Sequence, residues 1–245
     1  MLAQLIAPLL ALPDVDPALA AARTSVDTAL RHKALRRSGG PLAAEVGLRS
    51  AVASAALEGH VFDVADVRAG TVTDPVMQGA LRVSAALDGL APRWSRAPRQ
   101  VLARLHLLAA RGSVADDELG RPATAPVDAG RLDTLCALIA AETPEVPALL
   151  RAAVVHGELM ALRPFAGPSG IVARAAARLT LIADGLDPRG LIAPELGHRE
   201  REPEYVGTVN AFSTGTPDGV RSWLKHCASA VTLAAEELTR LADEI

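Results

Sequence analysis

The residues of this chain whose types and spacing could do chemistry lie in one short stretch, Arg163-Pro164-Phe165-Ala166-Gly167-Pro168-Ser169-Gly170-Ile171-Val172-Ala173-Arg174. A helix that stops at Pro164, a tight Gly/Pro/Ser loop and a second helix restarting near Ser169 together make an anion cradle. The first N–H groups of the second helix lack intrahelical acceptors and carry the positive end of its dipole. Ser169, Gly170 and the following turn supply backbone donors, while Arg163 and Arg174 supply guanidinium groups able to grip a phosphate. What the stretch lacks is a group that could act as a general base near neutral pH, because an arginine side chain keeps its proton.

The elements that must position these residues read as helices. Apolar residues recur at helical spacing over about 17–37, 43–57, 63–69, 74–90, 98–109 and 131–142, then in the two segments flanking the loop, and finally over 202–213 and 217–243. Gly39-Gly40-Pro41, Gly59, Ala91-Pro92 and Thr214-Gly215-Thr216-Pro217 punctuate them. Beyond Asp184-Gly185 the stretch holding Pro188 and Pro194 reads as a loop. Strand alternation is absent except in the Asp/Gly/Pro-rich stretch 113–127, where a short β-hairpin flap is the expectation. The fold class is therefore all-α, with residues 1–95 as an N-terminal helical region and 96–245 as the core, forming one compact unit.

Composition bounds the function classes. The 245 residues are 50% hydrophobic, 22% charged and only 2% aromatic, so this is a globular chain with a small-residue aliphatic core. A net charge of −3 gives no footprint for nucleic acid or an anionic membrane. Cys136 and Cys227 are too far apart for metal-ligand spacing, and with no convincing leader in Leu2–Leu12 the expected compartment is cytoplasmic.

With these residues in view, the stretch resembles the signature of the Fic (Fido) family, His-Pro-Phe-x-Asp/Glu-Gly-Asn-Gly-Arg-x-x-Arg. Its members transfer AMP or related groups from nucleotides to protein hydroxyls. The resemblance implies a His as general base, an acid that binds Mg²⁺, a Gly-Asn-Gly turn around the phosphates and a final Arg on the γ-phosphate. In register, Pro164, Phe165, Gly170 and Arg174 match, whereas Arg163 stands at the base, Gly167 at the metal acid, Pro168 at the first turn glycine, Ser169 at the asparagine and Ile171 at the first arginine. The likeness extends over roughly residues 45–240: Leu105-His106-Leu107-Leu108 with Gly120, Arg121 and Pro122 is similar to the family's helix and target-guiding flap, and Tyr205 and Ser222-Trp223-Leu224 fall in its closing helices. Upstream, Ser54-Ala55-Ala56-Leu57-Glu58-Gly59 resembles the inhibitory helix pattern Ser/Thr-x-x-x-Glu-Gly/Asn, placed here at about 43–59. That resemblance implies that Glu58 pairs with Arg174 and blocks phosphate binding.

The expectation is a Fic-type domain with a degenerate active site, leaning against canonical adenylyltransfer and toward a nucleotide- or phosphate-binding or regulatory module. Arg163, Ser169, Gly170 and Arg174 would bind phosphate, Ser54, Glu58 and Gly59 would inhibit, and no residue is assigned to a metal. ATP or another nucleotide is the implied ligand, Mg²⁺ is doubtful, the partner is an unidentified target protein, and a homodimer stays open. The alternative is an active nucleotidyl- or phosphotransferase of altered chemistry held off by the Glu58 helix. A third reading makes Glu58 and Arg174 an ion pair of purely structural use.

Blander readings apply to neighbouring residues. Arg163 is as well explained by pairing with Glu158 or a loop acid as by phosphate. His156, two turns before the loop, reads as a core histidine. His198 and His226 have no defined partner, Asp116-Asp117-Glu118 reads as a solvated turn, and Ser169 as a helix N-cap.

Overall fold

The structure is a computed structural model that describes residues 6–36, 39–122 and 126–244. Eleven α-helices lie among the described residues: α1 Val15–Leu30, α2 Gly39–Ala56, α3 Val64–Arg68, α4 Pro75–Trp94, α5 Pro98–Ala110, α6 Pro126–Ala140, α7 Ala148–Leu162, α8 Ser169–Ala183, α9 Pro194–Glu200, α10 Glu202–Ser213 and α11 Pro217–Asp243. Single-turn 3₁₀ segments at Ala7–Ala11 and Lys33–Arg36 flank α1.

Local chemistry explains the boundaries. Asp74 caps α4 by accepting the Met77 N–H at 2.8 Å, Asp63 caps α3 through Ala65 N–H, and Thr216 caps α11 through Gly219 N–H, each with apolar periodicity following. Pro75, Pro98, Pro194 and Pro217 stand at helix starts, where the missing N–H costs nothing.

The antiparallel pair α7 and α8 forms the centre. It is buried almost continuously from Leu149 to Gly157 and from Gly170 to Leu181, as expected of helices apolar on all sides. Around this pair, α1 lies along α11, α10 pairs with α11, α4 with α5 and α8, and α2 packs against α4 and α9. The few large rings are anchored through their polar tips: Trp94 Nε1–H donates to Thr180 Oγ1 at 3.0 Å and Trp223 Nε1–H to the Ala153 carbonyl at 2.8 Å. Glycine sets the closest helix contacts. A Cβ at Gly79 would lie 2.0 Å from the Ala109 carbonyl oxygen across α4 and α5, and one at Gly197 2.3 Å from that of Ala230 across α9 and α11.

The structure departs from the sequence expectation in five places, the first being Gly39-Gly40-Pro41, which opens α2 rather than breaking the chain before it. No strand forms among the described residues, and the segment expected to be a hairpin flap runs instead through turns over 112–120, with one isolated bridge between Arg111 and Val114; residues 123–125 lie outside the described ones. α4 continues past Pro92 to Trp94, since a proline in the last turn removes little. The stretch after Pro188 contains α9, where Pro194 begins a helix rather than extending a loop. The 17–37 helix ends at Leu30, followed by the 3₁₀ turn. Among the described residues no helix is long and apolar enough to cross a membrane.

Candidate functional site

α7 ends at Arg163, whose backbone is left-handed (φ 44°) and whose N–H returns to the Leu159 carbonyl at 3.0 Å. That conformation usually belongs to glycine. Here it turns the chain into a loop whose Pro164 and Phe165 are buried. Gly167 (φ 70°) makes the second sharp turn, drawing the Ser169 N–H onto its own carbonyl at 2.7 Å. Pro168 therefore takes the N-cap position, and no side chain caps α8. The expected Ser169 cap is thus displaced by the Gly-Pro turn; the Ser169 N–H, expected as a phosphate donor, is spent on Gly167, and the amides from Gly170 onward stay available to an anion.

An anion from the chain itself lies beside that turn, held by Arg174. Glu58, in the turn after α2, is set against the bare Cα of Gly170, where a Cβ would stand 2.1 Å from its Oε1. Arg174, one turn along α8, donates from Nη2 to the same oxygen at 2.7 Å. Its Nε donates to Ser54 Oγ at 2.9 Å, its Nη2 also to the Ser54 carbonyl at 2.8 Å, and its Nη1 to the Tyr205 hydroxyl at 3.3 Å. The Arg174 side chain is 1% exposed, whereas that of Glu58 is 20% exposed. A guanidinium buried to this degree needs its donors matched, and three partners from two elements match them. Gly59 (φ 89°) ends the motif with its N–H on the Ala56 carbonyl, which turns the chain just past Glu58.

Behind Arg174 lies a buried aromatic and histidine cluster. Tyr205 meets His156 Nε2 at 3.0 Å, His198 Nδ1 meets His226 Nε2 at 3.0 Å, and His226 Nδ1 meets Glu204 at 3.2 Å. Burial, and then the charges of Arg174 and His226, hold His156 well below the ordinary histidine range. Burial acts likewise on His198, followed by its neighbours His156, His226 and Arg174. Burial pushes the Tyr205 hydroxyl up against the opposing pull of Arg174.

The flap side is closed onto the loop. His106 accepts the Gly120 N–H on Nδ1 at 2.9 Å, which leaves Nε2–H to donate to the Ala166 carbonyl at 2.8 Å, and its ring stacks on Phe165 at 4.7 Å. Burial lowers its basicity, so the neutral ring that this double role requires is the favoured form. Val114 from the same turns covers Gly167: a Cβ there would be 2.6 Å from Val114 Cγ1. Gly167 therefore offers neither a carboxylate nor room for one. Among the described residues no three His, Cys, Asp or Glu side chains converge as a metal site. Mg²⁺ does not fit the residues of this loop, since that ion takes carboxylate as well as phosphate oxygens and the loop 163–170 carries no carboxylate.

Of the residues singled out from sequence, Ser54, Glu58, Gly170 and Arg174 are brought together. Arg163 is exposed on its own turn, and Glu158, one of the acids offered as its partner, is engaged elsewhere: Arg131 holds it through Nε at 2.7 Å and Nη2 at 2.9 Å. Gly120 (φ 72°) works through its N–H on His106, and Arg121 is exposed. Asp116, Asp117 and Glu118 form an exposed turn, with Glu118 accepting the Ala115 N–H. Sequence reasoning missed Tyr205 and His106 as parts of the site and took His156 for core packing alone. A signal existed for Tyr205: it is the single tyrosine of the chain, and a buried hydroxyl needs partners.

No family model and no curated protein matches the chain. Solved structures do. A Fic family protein from Desulfovibrio desulfuricans G20 is 22% identical, with a TM-score of 0.69 over 90% of this chain and 74% of that one. A fragment of Fic-1 from C. elegans is 18% identical, with a TM-score of 0.72 over 96% of this chain and 74% of that one. A point variant of the same fragment gives a TM-score of 0.74 at the same identity and coverage. Identities this low speak to architecture, and on that ground the all-α chain has the Fic fold.

Proposed function

We propose that this chain is a Fic-fold binding or regulatory module that takes the phosphates of a nucleotide at the start of α8 when Glu58 withdraws, and that it does not carry out AMP transfer. The observation that carries the reading is the Glu58 carboxylate itself. It lies against Gly170 and on Arg174, where the amides and dipole of α8 favour an anion, so it stands in for the phosphate that would replace it. Glu58 is the partly exposed member of the pair, so it is the one able to leave. Arg174 would then hold phosphate oxygens through the donors that Glu58 had occupied, and exposed Arg163 offers a second cation at the loop.

Support for the absence of transfer is local. The family's base position holds Arg163, which cannot accept a proton, and the metal position is Gly167 beneath Val114. No proton-transfer or metal-assisted step is therefore assigned to this chain.

Thermal unfolding of wild type and Glu58→Gly with ATP, with and without Mg²⁺, tests the reading. Wild type should respond weakly and Glu58→Gly clearly, by about 2.7 kcal/mol at a hundredfold excess over Kd. The Glu58→Gly response should persist without Mg²⁺ and vanish with Arg174→Ala added. No response from either protein removes the phosphate-site reading. AMP-modified product from Glu58→Gly, lost with Arg174→Ala, would instead favour an active transferase held off by Glu58.

A further inference from the structure

We infer that Tyr205 is the positioning residue for Arg174, holding its guanidinium aimed at the start of α8 after the Glu58 segment has withdrawn. The inference rests on the reading of residues 169–174 as a phosphate site. Arg174 has three partners, and two of them, Ser54 and Glu58, belong to the end of α2 and the turn that follows it. A movement that removes Glu58 with its segment takes both. Tyr205 approaches from α10, on the other side, and stays.

The hydroxyl is suited to this task by the company it keeps. Arg174 only donates, so the Tyr205 oxygen accepts from Nη1 at 3.3 Å, and the hydroxyl hydrogen is directed to His156 Nε2 at 3.0 Å. His156 thereby carries its proton on Nδ1. Tyr205 is 3% and His156 2% exposed, so neither has bulk water as a substitute partner. His156 is itself wedged edge-on against Trp223 at 4.9 Å and His198 at 5.1 Å, which fixes the ring that fixes the hydroxyl. Charged and titratable groups face His156 from each packed element: Arg174 from α8, His198 from α9, Tyr205 from α10 and His226 from α11. A second proton on His156 would turn its Nε2 into a donor beside Arg174 and leave the hydroxyl hydrogen without an acceptor.

Two readouts in the Glu58→Gly background test the assignment: the side-chain nitrogen NMR signals of Arg174, and ATP affinity by calorimetry. Glu58→Gly should show an ordered, slowly rotating Arg174 guanidinium. Ser54 still holds Nε and Nη2 there, so adding Tyr205→Phe should average the Nη1 signals, which Tyr205 alone restrains, and weaken ATP about tenfold, the size of one hydrogen bond to a charged group. Adding His156→Leu should also loosen Arg174, even if Tyr205→Phe does not fold. Adding His156→Gln, whose amide oxygen can still accept from the hydroxyl, should preserve both readouts and keep them as the pH is lowered into the range where the histidine parent loses them. Arg174 signals and ATP affinity in Tyr205→Phe and His156→Leu equal to those of the Glu58→Gly parent would overturn the inference, and so would loosened signals with unchanged affinity. If Glu58→Gly binds no ATP, the phosphate reading fails alone, because the Arg174 signals still decide whether Tyr205 holds it.

Discussion

At the scale of the residue, the Glu58 and Arg174 pair is unequal. Arg174 is enclosed and Glu58 is not, so the two truncations should differ. Arg174→Ala strands Glu58, Ser54 and Tyr205 oxygens in a buried space and should cost about 3–5 kcal/mol in chemical denaturation. Glu58→Ala leaves Arg174 donating three hydrogen bonds to Ser54 and Tyr205 and should cost about 1–3 kcal/mol. Equal and negligible costs would remove both the structural and the inhibitory use of the pair. Restoring the family's acid should fail: Gly167→Asp places a Cβ against Val114 on a left-handed backbone, and a loss of stability with no gained Mg²⁺ dependence is expected in melts. The pairing of Glu58 with Arg174 was legible because it comes with a residue pattern; the two bonds of Arg174 to Ser54 were not. Tyr205 and His106 were not, because helical periodicity reports that a side chain is buried and not which partner it meets.

At the scale of the element, the helix centres were readable and the ends less so. Caps such as Asp74 and Thr216 marked starts correctly, while Pro194 looked like a loop residue until α9 packed on α11 through bare Gly197. Close approach of this kind depends on three-dimensional neighbours, so two glycines of one helix can have opposite meanings. In α4, Gly79 lies against the α5 backbone whereas Gly89 has nothing within 4 Å of an added Cβ. Gly79→Ala should force α4 and α5 apart and destabilise by about 1–3 kcal/mol or more. Gly89→Ala should stabilise by about 0.5–1 kcal/mol through helix propensity. Urea midpoints of the two variants on opposite sides of wild type are the expected result.

At the scale of the whole molecule, stability should be asymmetric in pH. The buried rings of His106, His156, His198 and His226 are all held below the ordinary value of 6.5. The unfolded chain takes up protons as pH falls through that value and the folded chain does not. Stability should therefore drop toward acid by about 1.4 kcal/mol per pH unit for each ring that stays neutral. Asp187 acts in the opposite sense. Burial raises it to about 6, although its Oδ2 accepts the Ile192 N–H at 2.6 Å. Between its ordinary 3.8 and that value the folded chain holds a proton that the unfolded chain has lost, so its contribution falls as pH rises. Asp187→Asn, which keeps an acceptor without the charge, should raise stability above neutral pH by about 3 kcal/mol and do little in acid. Denaturant titrations across pH separate the two effects. The all-α architecture was legible at this scale from periodicity and the near absence of alternation, whereas the gathering of His156, His198 and His226 from three helices behind one arginine had no trace in their sequence spacing.

The enclosure of Arg174 bears on time as well as on energy. A ligand cannot meet a guanidinium that is 1% exposed until the α2 end has moved, so encounter alone does not complete binding. For the proposed nucleotide, observed association rates in wild type should climb with concentration and then level off at the rate of that opening. In Glu58→Gly, where Ser54 alone still ties the α2 end to Arg174, the opening should be faster and the ceiling higher.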